Sequence, residues 1–213
     1  QNDPDTSELH FALGNLFRRR GEYERAVRVH EHLLSRGDLG RVDRERAQHA
    51  LALDFLKAGL LDRAEQALQR LEGTPFEAEA RLALLAIYER SSDWSLAAAI
   101  ADKMDRAAQG DFSTRQAHYL CEQAATLLGK GQTEEARSLL QRAIATVTHA
   151  ARARIDLAAM QQASGDHAAA FSTLRTMGEA TPAALPLAAA RLAQAASSSQ
   201  QPQAALDLLT SSY

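Results

Sequence analysis

Seven histidines and one cysteine are the groups in this 213-residue chain best suited to nucleophilic or metal chemistry. His10, His30, His32, His49, His118, His149 and His167 are scattered. No two of them stand in an H-E-x-x-H frame, and there is no C-x-x-C pair to hold zinc. His30 and His32 are two residues apart, which places them on different faces of a helix. No glycine-rich phosphate loop is present. Cys121 has no partner for an internal disulfide, so folding needs no oxidising compartment. A Ser/His/Asp triad assembled in three dimensions leaves no local signature, but a stack of regular helices is a poor host for one. The remaining concentration of charge is Arg18-Arg19-Arg20. It reads either as a solvated helix end meeting the negative pole of the macrodipole or as a partner contact. The chemistry on offer is binding, and no catalytic constellation, metal set or cofactor site is expected in these residues.

Composition narrows the partners. The chain is 46% hydrophobic with a formal net charge of −3. Nucleic-acid binding would need a basic face, and none is legible. No run of 18 apolar residues exists, so no segment is expected to span a membrane. Alanine and leucine are abundant and β-branched residues scarce, which favours helix throughout.

The elements that would position these residues follow from one stretch, Leu13-Gly14-Asn15-Leu16-Phe17-Arg18-Arg19-Arg20-Gly21-Glu22-Tyr23-Glu24-Arg25-Ala26. It reads as a helix, a tight turn at Gly21 and a return helix. Gly14 and Ala26 are the small residues expected to face each other where the two helices cross, with Phe17 filling the gap beside them. Thr6 or Ser7 is expected to cap the first helix. This is the layout of a tetratricopeptide (TPR) repeat. It recurs around Gly59 and Ala64, Ser92 and Ala97, Gly131 and Ala136, Gly165 and Ala170, and more weakly Gln200 and Ala205. The expected fold is all-α: a TPR superhelical solenoid of antiparallel helix pairs, with about five to six repeats and about twelve helices. A single array over 1–213 would hold repeats at about 7–38, 43–73, 76–109, 113–147, 148–181 and 183–213. The last return helix stops at Tyr213 without a polar capping helix, which leads us to expect a piece of a longer protein.

In such an array the first helix of each repeat lines the concave side. Counting from the Gly14-type position gives the candidate partner-binding groove. Repeat one supplies Glu8, Phe11, Asn15, Arg18 and Arg19, and repeat two Arg46, His49, Leu53, Leu56 and Lys57. Repeat four supplies His118 and Cys121. This mixture of Arg, His and apolar side chains suits an extended or helical peptide. The carboxylate clamp of chaperone-binding TPR domains is missing. Asn15 matches its Asn, but Phe11 stands at its Lys position, and Glu79 and Ala83 stand at its third-repeat cations.

Several segments go beyond the generic repeat. Leu13-Gly14-Asn15-Leu16-Phe17-Arg18-x-Arg20-Gly21-Glu22 runs on to Arg25-Ala26-x-Arg28-x-His30-x-x-Leu33. Leu53-Asp54-Phe55-x-x-Ala58-Gly59-Leu60-x-Asp62-Arg63-Ala64-Glu65 and Ala117-His118-x-x-Cys121-Glu122 follow. Together these resemble the lipopolysaccharide assembly protein B family of Gram-negative bacteria, over about residues 9 to 145. The resemblance implies an inner-membrane protein with one N-terminal membrane helix, a cytoplasmic TPR array and a C-terminal rubredoxin-like domain holding iron or zinc. It implies an adaptor that helps the membrane-bound AAA+ protease FtsH degrade the lipid A deacetylase LpxC. It marks Arg18, Arg20, Arg25, Arg28 and His30 as positions of interest, and it leaves room for a homo-oligomer. The present segment would be soluble, without membrane helix or metal. The alternatives are a TPR region flanking a glycosyltransferase and a generic cytosolic TPR adaptor.

Overall fold

A computed structural model describes residues 4–211. Twelve α-helices and one short 3-10 turn at Pro182–Ala184 account for them, and no strand occurs among the described residues. In order the helices are α1 (Pro4–Arg19), α2 (Tyr23–Ser35), α3 (Arg41–Ala58), α4 (Leu61–Gln69), α5 (Glu77–Ser91) and α6 (Trp94–Arg106). They continue with α7 (Ser113–Gly129), α8 (Thr133–Thr146), α9 (Ala151–Ala163), α10 (His167–Ala180), α11 (Leu185–Ser198) and α12 (Pro202–Ser211).

One local device ends the first helix of every pair. A residue with φ between 57° and 83° stands after it: Gly21, Gly59, Ser92, Gly131, Gly165 and Gln200. The next backbone N–H then turns back to a carbonyl five residues earlier, as in Glu22 to Phe17 at 2.9 Å and Gln201 to Ala196 at 2.8 Å. This closure satisfies carbonyls the helix would otherwise leave unpaired and reverses the chain within two residues. Five residues after each turn comes an alanine. Ala26, Ala64, Ala97, Ala136 and Ala170 are fully buried and Ala205 nearly so. The weak sixth copy therefore obeys the same geometry as the other five.

Two expectations about the first pair are corrected. Helix α1 begins at Pro4, so Thr6 and Ser7 lie within it and do not cap it. The buried Ser7 hydroxyl instead accepts from Arg36 Nη1 at 3.3 Å. The partner of Gly14 is also different. A Cβ at Gly14 would come within 2.5 Å of His30 Cε1, so what lies against this glycine is the imidazole on α2, not Ala26.

The described chain forms two compact units, the first ending at Asp93 and the second beginning at Trp94. The division falls in the turn of the helix pair α5 and α6. The first unit buries Phe11, Leu33, Leu39 and Ala47 in one cluster. Leu68, Leu71, Leu84 and Leu85 are buried further along it. In the second unit, Leu120, Cys121, Leu140 and Leu157 centre one cluster, and Phe171, Leu174, Met177 and Leu192 a second. Each such leucine contributes about 1.5–3 kcal/mol by leaving water.

Candidate interaction face

The first unit holds a buried polar cluster. His30 and Asp54 are both 0% exposed. His30 Nδ1 lies 2.5 Å from Asp54 Oδ2, so the ring donates there and the carboxylate accepts. Arg18 reaches over from α1, and its Nη1 donates to Asp54 Oδ1 at 2.8 Å and to the Ala50 carbonyl at 3.0 Å. Its Nη2 donates to Asn15 Oδ1 at 2.5 Å. The cluster joins α1, α2 and α3. A His–Asp pair is also the orienting half of a catalytic triad, in which the second ring nitrogen meets a nucleophile. Here Nε2 is buried, hydrogen-bonds no group among the described residues and lies against Gly14. The pair is a structural tie.

This arrangement removes several residues from the expected groove. Phe11 is 1% exposed and belongs to the core, because the first-helix position it occupies turns inward here. Arg18 spends its guanidinium inside the cluster. His30 is buried and presents nothing to a partner. Cys121, in the second unit, is 2% exposed, and burial pushes its thiol up to about 11. It borders a cleft on this face but is not an activated nucleophile.

The other groove candidates remain at least partly accessible, but most are paired. Arg46 stacks over the Phe11 ring at 4.1 Å and forms an ion pair with Glu8. That hydrogen bond holds the Glu8 carboxyl below its ordinary range. His49 stacks on Phe76 with centroids 4.4 Å apart, and its Nε2 lies 3.2 Å from Glu79. Asn15 and Leu53 are half-buried, whereas Arg19 and Lys57 are exposed. Of the other family-marked arginines, Arg20 and Arg25 both pair with Glu22, and Arg25 also covers the Phe17 ring at 4.0 Å. Arg28 donates to the Glu24 carbonyl at 3.3 Å.

Two clefts in the second unit lie between α7 and α9. One cleft of about 280 Å³ is lined near the helix starts by Ala117, His118, Cys121, Val147 and His149. Another of about 390 Å³ is lined near the helix ends by Ala125, Leu128, Asp156, Ala159 and Met160. Arg152 borders both. Its Nη1 donates to Glu122 at 2.7 Å and stands 3.2 Å from His118 Nδ1, while its Nε lies 3.6 Å from Asp156. The Glu122 hydrogen bond raises the Arg152 guanidinium further. Burial raises the Asp156 carboxyl above its ordinary range despite Arg152 beside it. His118, the exposed imidazole expected in the groove, thus does line a cleft on this face. Arg152 and Asp156 were missed. Arg152 occupies the fifth-repeat counterpart of Glu8 and Arg46, so the same counting from Ala158 finds it; Asp156 has no such signal.

Among the described residues no group of three His, Cys, Asp or Glu is placed to hold a metal. A rubredoxin-like centre takes four thiolates, and the chain has one cysteine, so that group does not fit these residues. No described helix is long and apolar enough to cross a membrane.

The tetratricopeptide repeat family matches residues 9–45. Lipopolysaccharide assembly protein B of Escherichia coli strain K12 is 34% identical over 176 residues, which is 82% of this chain and 45% of that protein. The Haemophilus influenzae protein of the same name is 33% identical over 176 residues, covering 82% of this chain and 44% of its own length. The chain therefore spans a little under half the length of these relatives. Among solved structures, MamA residues 41 to the end from Desulfovibrio magneticus RS-1 is 18% identical, with a TM-score of 0.42. That match covers 84% of this chain and 97% of the other. Repeat geometry and relatives together make the chain a protein-interaction scaffold. Over 176 residues the chain is similar to lipopolysaccharide assembly protein B, and it carries the tetratricopeptide repeat.

Proposed function

We propose that this chain is the TPR array of an inner-membrane adaptor, lying on the cytoplasmic side, that brings the lipid A deacetylase LpxC to the protease FtsH. The array holds proteins and performs no reaction itself, and it binds no metal of its own. The observation that carries this reading is the match to lipopolysaccharide assembly protein B over 82% of the chain. The accessible clefts with paired charges between α7 and α9 support it, since they suit polypeptide and lack an activated nucleophile. The test places the full-length protein in a bacterium lacking its own copy and follows deacetylase level and protease association. Wild type is expected to lower the deacetylase. Reversing the exposed Arg19 and Lys57 reports on the first-unit groove, with reversal of Glu31, which pairs with Arg63 at 2.8 Å, as the control. A wild-type protein without effect on the deacetylase ends this reading.

A further inference from the structure

The two clefts between α7 and α9 share one wall, Arg152. Their linings are displaced by nearly the same amount on both helices. On α7 they shift from around His118 to around Ala125, and on α9 from around Ala151 to around Ala159. Seven to eight residues of helix separate points about 12 Å apart. Residues i and i+4 of an extended chain are separated by about 13 Å, and residue i+2 points to the same side as both. An extended segment can therefore seat two side chains in the two clefts while a third, midway, faces the ridge between them.

The ridge has a charge of its own. Glu122 and Asp156 converge on the single guanidinium of Arg152. The short bond goes to Glu122 at 2.7 Å, and Asp156 is left 3.6 Å away. Arg191 adds a second positive charge near Asp156, but among the described residues the ion pair Asp156 makes is the 3.6 Å one to Arg152, so its carboxylate keeps room for a closer cation. The cleft toward the helix ends is floored by alanines and walled by Leu128 and Met160, which suits an apolar side chain. The polar groups of the ridge can also meet free backbone amides and carbonyls. An extended segment offers these, whereas a helix has already paired its own.

We infer that the α7–α9 face docks an extended segment of a partner protein bearing apolar–x–Lys/Arg–x–apolar, with the basic side chain set against Asp156 and Glu122. This rests on the reading of the chain as a protein-binding scaffold. Fluorescence anisotropy with labelled synthetic peptides tests it on the purified chain. The anchors are Leu, Ile, Phe or Met, and the central residue is Lys, Glu or Ser. The best Lys-centred peptide is expected to bind at least about tenfold more tightly than its Glu-centred counterpart, because like charge at the ridge is repelled. Asp156→Asn keeps the shape and should shrink that ratio to about threefold or less. Ala125→Trp, at an exposed position, should fill the larger cleft and weaken the Lys-centred peptides with the helical signal unchanged. If no Lys-centred peptide outbinds its Glu-centred counterpart, or if Asp156→Asn leaves the ratio intact, the inference is overturned. If it fails while full-length protein still lowers the deacetylase, the adaptor reading stands without it. If the peptides discriminate but the deacetylase does not respond to full-length protein, the docking site stands and the adaptor reading falls.

Discussion

Gly14 is small because His30 is large and immovable. The imidazole is held from the far side by Asp54, which is itself held by Arg18, so the ring cannot swing away from a new Cβ. Gly14→Ala should therefore cost about 1–3 kcal/mol by overpacking, despite the better helix propensity of alanine. In a His30→Ala background the obstruction is gone, and the same change should become neutral or stabilise by about 0.5–1 kcal/mol. A double-mutant cycle in urea reads the coupling; equal costs in both backgrounds would show that the ring is not the obstacle. Cys121 makes a second residue-scale test. With the thiol pushed up to about 11 by burial, its thiolate fraction at pH 8 is on the order of 10⁻³. Alkylation by iodoacetamide should be slow in the folded protein, speed up as pH rises toward that value, and become rapid in urea. Fast labelling of folded protein at pH 8 would contradict the burial assigned here.

At the scale of elements, each helix pair depends on one backbone conformation that most side chains resist. Four of the six turns use glycine; Ser92 and Gln200 adopt the same conformation with a Cβ, at φ 57° and 60°. Ser92→Gly should stabilise the protein by about 1 kcal/mol, by relieving that strain at the end of α5. Thermal unfolding checks it, and a lowered midpoint would mean that the serine side chain contributes more than the strain removes. The turns and their buried alanines were legible in the sequence because the rule is local: a small set of residues at fixed offsets decides both chain reversal and helix contact. The recurrence also carried the weak sixth copy. The ties between elements were not legible. Arg18, His30 and Asp54 come from three helices, and nothing in their spacing announces that they meet. Counting along the first helix put Phe11 and Arg18 in the groove because it takes repeat positions as equivalent. A polar cluster that recruits Arg18 inward breaks that equivalence. The α7–α9 clefts were half legible: His118 and Arg152 occupy equivalent repeat positions, whereas Asp156 becomes notable only once its burial is known.

At the scale of the whole molecule, two compact units imply that stability is not one number. Repeat arrays couple neighbour to neighbour, and a chain with separate clusters can lose one part before another. The polar tie of α1, α2 and α3 lies wholly in the first unit. The one tryptophan, Trp94, lies in the second, stacked near Tyr119 with centroids 6.2 Å apart. Arg18→Ala would leave Asp54 buried with His30 alone, and losing one partner of a buried charge costs about 3–5 kcal/mol. That cost should fall on the first unit. In urea titrations, far-ultraviolet circular dichroism, which reports all the helices, should show part of its signal lost at lower denaturant in the variant. Trp94 fluorescence, which reports the second unit, should keep its wild-type midpoint. Arg19→Glu, an exposed change next door, should move either midpoint by no more than about 0.5 kcal/mol equivalent. If Arg18→Ala instead shifts both signals by the same amount, the two units unfold as a single cooperative body, and the buried tie stabilises the clefts of α7 and α9 as well as its own three helices.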